Sequence, residues 1–236
     1  MAQQSEEDRL LDALDAVDVA LDDGDFAAAR RALARAVDVA GARDPEVLYA
    51  GACVALEADG PDAAEPLFAQ VIAEDPSHAD AHYALGQLAA DRDDQAKLVE
   101  HFLRVHALDA RGDREARIGK RSELDHIERV ARELLAALPS PFAEKLERVP
   151  VVIERRPSRD LVRDGFDPRA LGLFEGPTYG EQGAPAPTRI VLFVNNLLAD
   201  FPEDPELSEQ VEITLLHEIG HYFGLDEDDM VRLGLD

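Results

Sequence analysis

The chain has 236 residues, is 46% hydrophobic and carries a formal charge of −26 at neutral pH. That length admits one large unit or two modest ones, and no run reaches the ~18 to 20 consecutive apolar residues that a membrane span needs. Nucleic acid is excluded as a general partner, because affinity for phosphates comes from Lys and Arg that displace counterions, whereas residues 1–110 hold 8 basic against 24 acidic groups.

The opening Met-Ala-Gln-Gln-Ser-Glu-Glu-Asp has neither a basic start nor an apolar stretch, so no secretory signal is expected. One cysteine, Cys53, cannot form an internal disulfide. Both features fit a reducing cytoplasm. The acidity itself is read as solubility or a salt-rich host rather than recognition of a basic partner.

Taken in chain order, the first feature is a repeat. Asp75-Pro76 aligns with Asp109-Ala110 at a spacing of 34 residues, the length of a helix-turn-helix repeat. Residues 79–112 supply Tyr83, Leu85, Gly86, Ala89, Leu98, Phe102 and Val105. Residues 45–78 supply Tyr49, Gly51, Ala52, Ala55, Ala64, Phe68, Val71 and Pro76 in the same register. An earlier copy begins near Leu10, with Gly24-Asp25-Phe26 as its turn and Ala29, Leu33 and Ala36 on its second helix. One such pair cannot bury its apolar face alone, whereas three stacked pairs share a core. Small residues let the helix axes approach, and Phe68 and Phe102 fill the space between pairs. Residues 10–112 thus resemble the tetratricopeptide repeat (TPR) family, which implies an all-α domain offering a surface to a protein partner, Tyr49, Tyr83 and Gln87 among its candidates. The departure from that pattern is at the fourth position of the first two copies, where Ala13 and Leu48 replace an aromatic.

Residues 111–114 and Gly119 read as a junction. Ser122 is placed as the cap of a helix whose Leu124, Ile127, Val130, Leu134, Leu135 and Leu138 recur at helical spacing up to Pro139. A short helix is predicted at 142–147, and strands at 149–153, 190–194 and 171–174. Gly176-Pro177 and residues 183–187 read as loops. The predicted class is α+β, with a small second domain over 120–236.

The last helix is predicted to start at Ser208 as its cap, with acidic groups in its first turns, and to stop at Gly224. Within it, His217 and His221 stand one turn apart on one face, where both reach a single metal ion. Glu218 projects beside them as a base for water activated by Zn2+. Gly220 lies between the ligands, and Gly224 permits a reversal that brings a third ligand back.

The stretch His217-Glu218-Ile219-Gly220-His221-Tyr222-Phe223-Gly224-Leu225-Asp226-Glu227 is similar to the extended H-E-x-x-H-x-x-G-x-x-D pattern of the bacterial minimal zincin-like metallopeptidases. Residues from about Ile127 onward resemble that family, through Ala137-Leu138-Pro139, Val151-Val152-Ile153-Glu154, Gly172-Leu173-Phe174-Glu175-Gly176 and Arg189-Ile190-Val191-Leu192-Phe193. The resemblance implies His217, His221 and Glu227 as zinc ligands, Glu227 standing where aspartate is usual, with Asp226, Asp228 and Asp229 as alternatives. It also implies a strand that holds the substrate backbone, for which 190–194 is the candidate. Three protein ligands leave the open position of a catalytic zinc. Tyr179 and Tyr222 are candidate oxyanion donors, Tyr222 being more readily a packing residue.

The function expected is a zinc-dependent metallopeptidase whose repeats bind a protein substrate or partner. The alternatives are a TPR-type scaffold with an inactive or structural zinc domain, and a metal hydrolase acting on another bond.

Overall fold

The computed structural model describes residues 5–181 and 188–233, so the loop expected at 183–187 lies outside the described residues. The chain divides into two compact units, Met1–Leu108 with Arg163–Gly165, and Asp109–Val162 with Phe166–Asp236.

The first unit is all helix: α1 Glu6–Asp22, α2 Phe26–Ala40, α3 Pro45–Asp59, α4 Pro61–Glu74, α5 Ala79–Asp91 and the first part of α6 Gln95–Ala116. Apart from α4, which follows Gly60, each start is fixed by a side chain that accepts an otherwise free N–H of the first turn. Asp25 takes that of Ala28 at 2.8 Å, and Asp44 takes those of Glu46 and Val47 at 3.0 and 3.2 Å. Asp25 follows Gly24, whose φ of +69° closes the α1–α2 turn where the sequence placed it. Ala29, Ala36, Ala52, Ala64 and Ala81 are completely buried, with Phe68 and Phe102 beside them. Gly86 is obligatory for this packing, since a Cβ there would lie 2.5 Å from the Phe102 ring.

The second unit contains α7 Arg121–Ala137, α8 Ser140–Leu146, β1 Val151–Glu154, β2 Gly172–Glu175, β3 Arg189–Phe193, α10 Val194–Asp200, α11 Glu206–Phe223 and α12 Glu227–Leu233; α9 is the single turn Arg159–Arg163. The sheet order is β1-β3-β2, β1 parallel to β3 and β2 antiparallel to it. Val191 pairs with Val152 on one side and Leu173 on the other. Its core joins Ile127 and Val130 of α7, Ile190 and Leu192 of β3, Leu197 of α10, and Val211, Leu215 and Ile219 of α11. The α+β class holds.

Four expectations change. β3 is the central strand, hydrogen-bonded on both sides, so it has no free edge to hold a substrate backbone. Neither serine caps its helix. α7 starts at Arg121, where Glu123 reaches back to the N–H groups of Gly119 and Lys120 at 2.9 and 2.7 Å. α11 starts at Glu206, and Ser208 sits inside it. Its hydroxyl donates to Asp204 at 2.6 Å and accepts from His126 Nε2 at 3.0 Å, tying α7 to α11. The stretch read as a junction is helical as far as Ala116.

That last stretch is held by a polar network the sequence did not announce. Arg156 Nε and Nη2 donate to the Asp113 carboxylate at 2.6 and 2.7 Å, and Asn195 Nδ2 adds a third bond at 2.8 Å. Arg169 Nε donates to Asp109 at 3.0 Å. Burial pushes the Asp113 carboxyl up, but the hydrogen bonds from Arg156 and Asn195 outweigh it and hold the group below its ordinary range.

Candidate metal centre

α11 presents His217 and His221 on one face, their Nε2 atoms 2.9 Å apart. The chain then reverses at Gly224, whose left-handed φ of +82° and ψ of +23° a side chain would oppose. α12 follows at once and brings Glu227 back, with Oε1 3.4 Å from His221 Nε2 and Oε2 3.8 Å from His217 Nε2. Three side chains predicted apart along the sequence thus converge, and they form a group able to hold a metal ion. The donor set fits zinc. Ligand atoms of a tetrahedral site with bonds of ~2.0 to 2.1 Å stand ~3.4 Å apart, and the observed separations straddle that value. His221 Nδ1–H donates to the Leu225 carbonyl at 3.3 Å, which leaves the Nε2 lone pair directed at the cluster.

Two of the three neighbouring acids are engaged elsewhere. Asp226 accepts the N–H of Asp229 at 2.9 Å and the Asp229 side chain accepts that of Asp226 at 3.3 Å, a reciprocal cap on α12. Asp229 also pairs with Arg232. Asp226 stays exposed with its carboxylate on the cap of α12, and the imidazole of His221 finds a carbonyl.

Glu218 lies on the inner side of the helix, only 6% exposed. Burial pushes its carboxyl up to about 7, with Glu227 adding to the rise, against His217 and the hydrogen bond from the Phe174 N–H, which lower it. The carboxyl is seated against β2: a Cβ on Gly172 would stand 2.8 Å from Glu218 Oε1. A cleft of about 750 Å³ runs between β2 and α11, lined by Gly172, Leu173 and Phe174 on one side and Thr214, His217, Glu218 and His221 on the other. Phe166, Leu171, Ile213 and Leu225 make its walls largely apolar. β2 pairs only with β3 among the described residues, so the strand that borders the cleft is also an edge strand.

Neither candidate tyrosine lines the cleft. Tyr222 is 4% exposed and donates its hydroxyl to the Lys145 carbonyl at 3.1 Å, so it packs. Tyr179 lies against the rings of Tyr222 and Phe223, with the Lys145 ammonium 4.6 Å from its centroid.

Two residues that build the site had no role in the sequence-based reading. Met230, fully buried, docks α12 on Gly220, where a Cβ would be 2.7 Å from its sulfur. This accounts for a glycine between the two histidines. Gly172 does the same for Glu218 on β2. The only available signal was a glycine in a short strand, which marks a close approach without saying of what.

A zincin-like metallopeptidase family model matches residues 146–235, and a tetratricopeptide repeat model matches residues 49–112. No curated protein matches the chain. The chain therefore has a zincin-like domain with N-terminal TPR-like repeats, a metallopeptidase-like fold joined to repeats of a kind that generally mediate protein–protein interaction. No described helix is long and apolar enough to cross a membrane.

Proposed function

We propose that this domain is a zinc-dependent peptidase in which His217, His221 and Glu227 hold the ion and Glu218 is the general base. The observation that carries the proposal is the convergence of those three donors beside a buried carboxyl at the floor of an apolar cleft. Bound zinc supplies Lewis acidity, acidifying water and polarising a carbonyl. Glu218 takes one proton from the attacking water as its oxygen bonds to the carbonyl carbon. As the C–N bond breaks, the same carboxyl delivers that proton to the departing amine. A carboxyl raised toward neutrality suits both halves of this shuttle, since a base and an acid work best with a pKa near the working pH. The Phe174 N–H holds it in place. The free edge of β2, rather than β3, takes the substrate backbone as an added strand alongside the cleft. The TPR-like repeats bind the protein substrate or a partner that brings it.

The test pairs zinc titration of the apo-protein with hydrolysis of unfolded protein substrates. His217→Ala and His221→Ala should lose stoichiometric zinc, while Glu218→Gln should keep zinc and lose hydrolysis. Among the acids, Glu227→Ala should weaken zinc and Asp228→Ala should not; the reverse pattern would move the third ligand by one residue. Zinc bound by the parent chain without any hydrolysis would favour a protein-binding scaffold with a structural metal.

A further inference from the structure

A second cavity of the C-terminal unit, about 530 Å³, shares no lining residue with the metal cleft. We propose that it binds a small hydroxylated phosphate monoester, of the sugar- or polyol-phosphate class. Its volume is that of a small-ligand site, typically ~300 to 1,000 Å³.

Charge carries the first part of the inference. The lining includes Arg114, Arg117, Lys120, Arg155 and Arg156 against the single carboxylate of Asp113. Arg156 is neutralised by Asp113 and Asp109, and Lys120 stands 3.4 Å from Glu123. Arg114, Arg117 and Arg155 form no ion pair among the described residues. The chain holds 50 acidic groups against 24 basic ones, so intramolecular partners are abundant. Arg117 and Arg155 meet at one cavity without an ion-pair partner among the described residues, beside Arg114, whose charge also acts on Asp113 and Glu115, and they are therefore arranged for an anion that the chain does not supply. Arg117 also holds a left-handed φ of +58°, a conformation that strains an L-residue and that glycine would adopt freely.

A buried acceptor carries the second part. Asn195 is 3% exposed and lines the cavity; its Nδ2 is spent on Asp113, while its Oδ1 has no hydrogen-bond partner. Leaving such an atom unpaired is costly, and an O–H or N–H of a ligand would relieve it. Gly119 keeps that corner open. A Cβ there would lie 2.6 Å from Asn195 Oδ1 and 2.8 Å from Arg155 Nη1, so the backbone is bare where the unpaired acceptor and an unpaired arginine meet.

The two requirements define the ligand. Arginine forks match the oxygens of phosphate or carboxylate, but three cations balance a phosphate monoester of about −1.5 to −2 charge better than one carboxylate. The acceptor needs a donor a short distance from the anion, which a hydroxyl on the carrier provides, whereas the one O–H of hydrogen phosphate sits on the anion itself. No aromatic residue lines the cavity, so there is no platform on which a nucleobase would stack.

The experiment is calorimetric titration of the full chain at low salt with glucose 6-phosphate, ribose 5-phosphate and glycerol 3-phosphate, with inorganic phosphate and glucose as controls. At least one phosphate ester should bind one per chain, glucose should not bind, and inorganic phosphate should bind about tenfold or more weakly, the worth of one lost hydrogen bond to a buried acceptor. The exposed pair Arg117→Gln with Arg155→Gln should weaken the ester by about tenfold or more. Zinc binding and the melting temperature of the ligand-free protein should stay unchanged. The proposal is overturned if none of the three esters binds saturably, if the double variant binds as the parent does, or if inorganic phosphate equals the best ester.

Discussion

Gly172→Ala tests how Glu218 is positioned. The added Cβ would stand 2.8 Å from Glu218 Oε1 and from Thr214 Cγ2, and 2.9 Å from Glu218 Cγ. Ordinary contact begins near ~3.5 Å, so about 0.7 Å must be found. Thr214 and Glu218 lie one turn apart on α11 and are 7% and 6% exposed, which leaves neither room to swing into solvent. α11 must back away from β2, or Glu218 must leave its seat and its bond to the Phe174 N–H. Such overpacking costs about 1 to 3 kcal/mol. At about 2 to 4 °C per kcal/mol for a chain of this size, melting of the C-terminal unit should fall by about 2 to 12 °C. A base displaced by about 0.7 Å is outside the tolerance of a working site, ~0.5 Å, and a 1 Å error costs ~100-fold, so hydrolysis should drop about tenfold or more. Zinc affinity should hold, because the added methyl meets none of the three ligands. Differential scanning fluorimetry, zinc titration and a peptide-cleavage assay read the three quantities. A variant that melts and cleaves like the parent would refute the seating of Glu218 against this strand.

Three further outcomes are expected. Met230→Ala removes the buried side chain that docks α12 on Gly220, so it should destabilise the unit by about 2 to 5 kcal/mol and weaken zinc by about tenfold, measured by chelator competition. In the metal-free protein, Glu218→Gln should stabilise, because the folded carboxyl titrates at about 7 rather than 4.5 and its ionised form is the disfavoured one. The cost is absent below pH ~4, grows as pH rises through the unfolded value, and is complete, at about 3 kcal/mol, above pH ~7; urea unfolding of both proteins at pH 4 and pH 8 reads it. A fragment starting at Asp109 should melt cooperatively and one starting at Lys120 should not, since the latter strips Arg156 and Arg169 of Asp109 and Asp113 and leaves a buried guanidinium unpaired.

What the sequence made legible was periodic or chemically explicit. A 34-residue spacing with alanines at helix crossings pointed to stacked hairpins, and the burial of Ala29, Ala52, Ala64 and Ala81 follows from it. The pair His217 and His221 needs only helical spacing to face one point. Gly224 needs only its tolerance of positive φ to turn the chain. The helix starts were less legible: Ser122 and Ser208 are good caps in isolation, but Glu123 makes the bonds at the start of α7, and α11 begins at Glu206 with no side-chain cap while the Ser208 hydroxyl is spent on Asp204. A rule for caps reads one residue, whereas the outcome is a competition among several.

The edge strand was misjudged for a related reason. Residues 190–194 are the most apolar β-rich run of the C-terminal half, and apolarity on both faces is what a central strand requires. Ile190, Val191, Leu192 and Phe193 are each 1% exposed or less. A strand that must leave one edge free beside an aqueous cleft is half-buried and short, as β2 is, and gives the weaker signal. The same inversion applies to α12. With seven residues it is too brief for any period to show, and four consecutive acids disguise it as a solvated tail. Yet Asp226 and Asp229 are consumed in capping it, Met230 anchors it, and Glu227, at its first position, is the acid left facing the histidines. The third donor is therefore set by the helix that follows the turn, so changes that melt α12 should act on the metal centre as strongly as changes to the carboxylate itself.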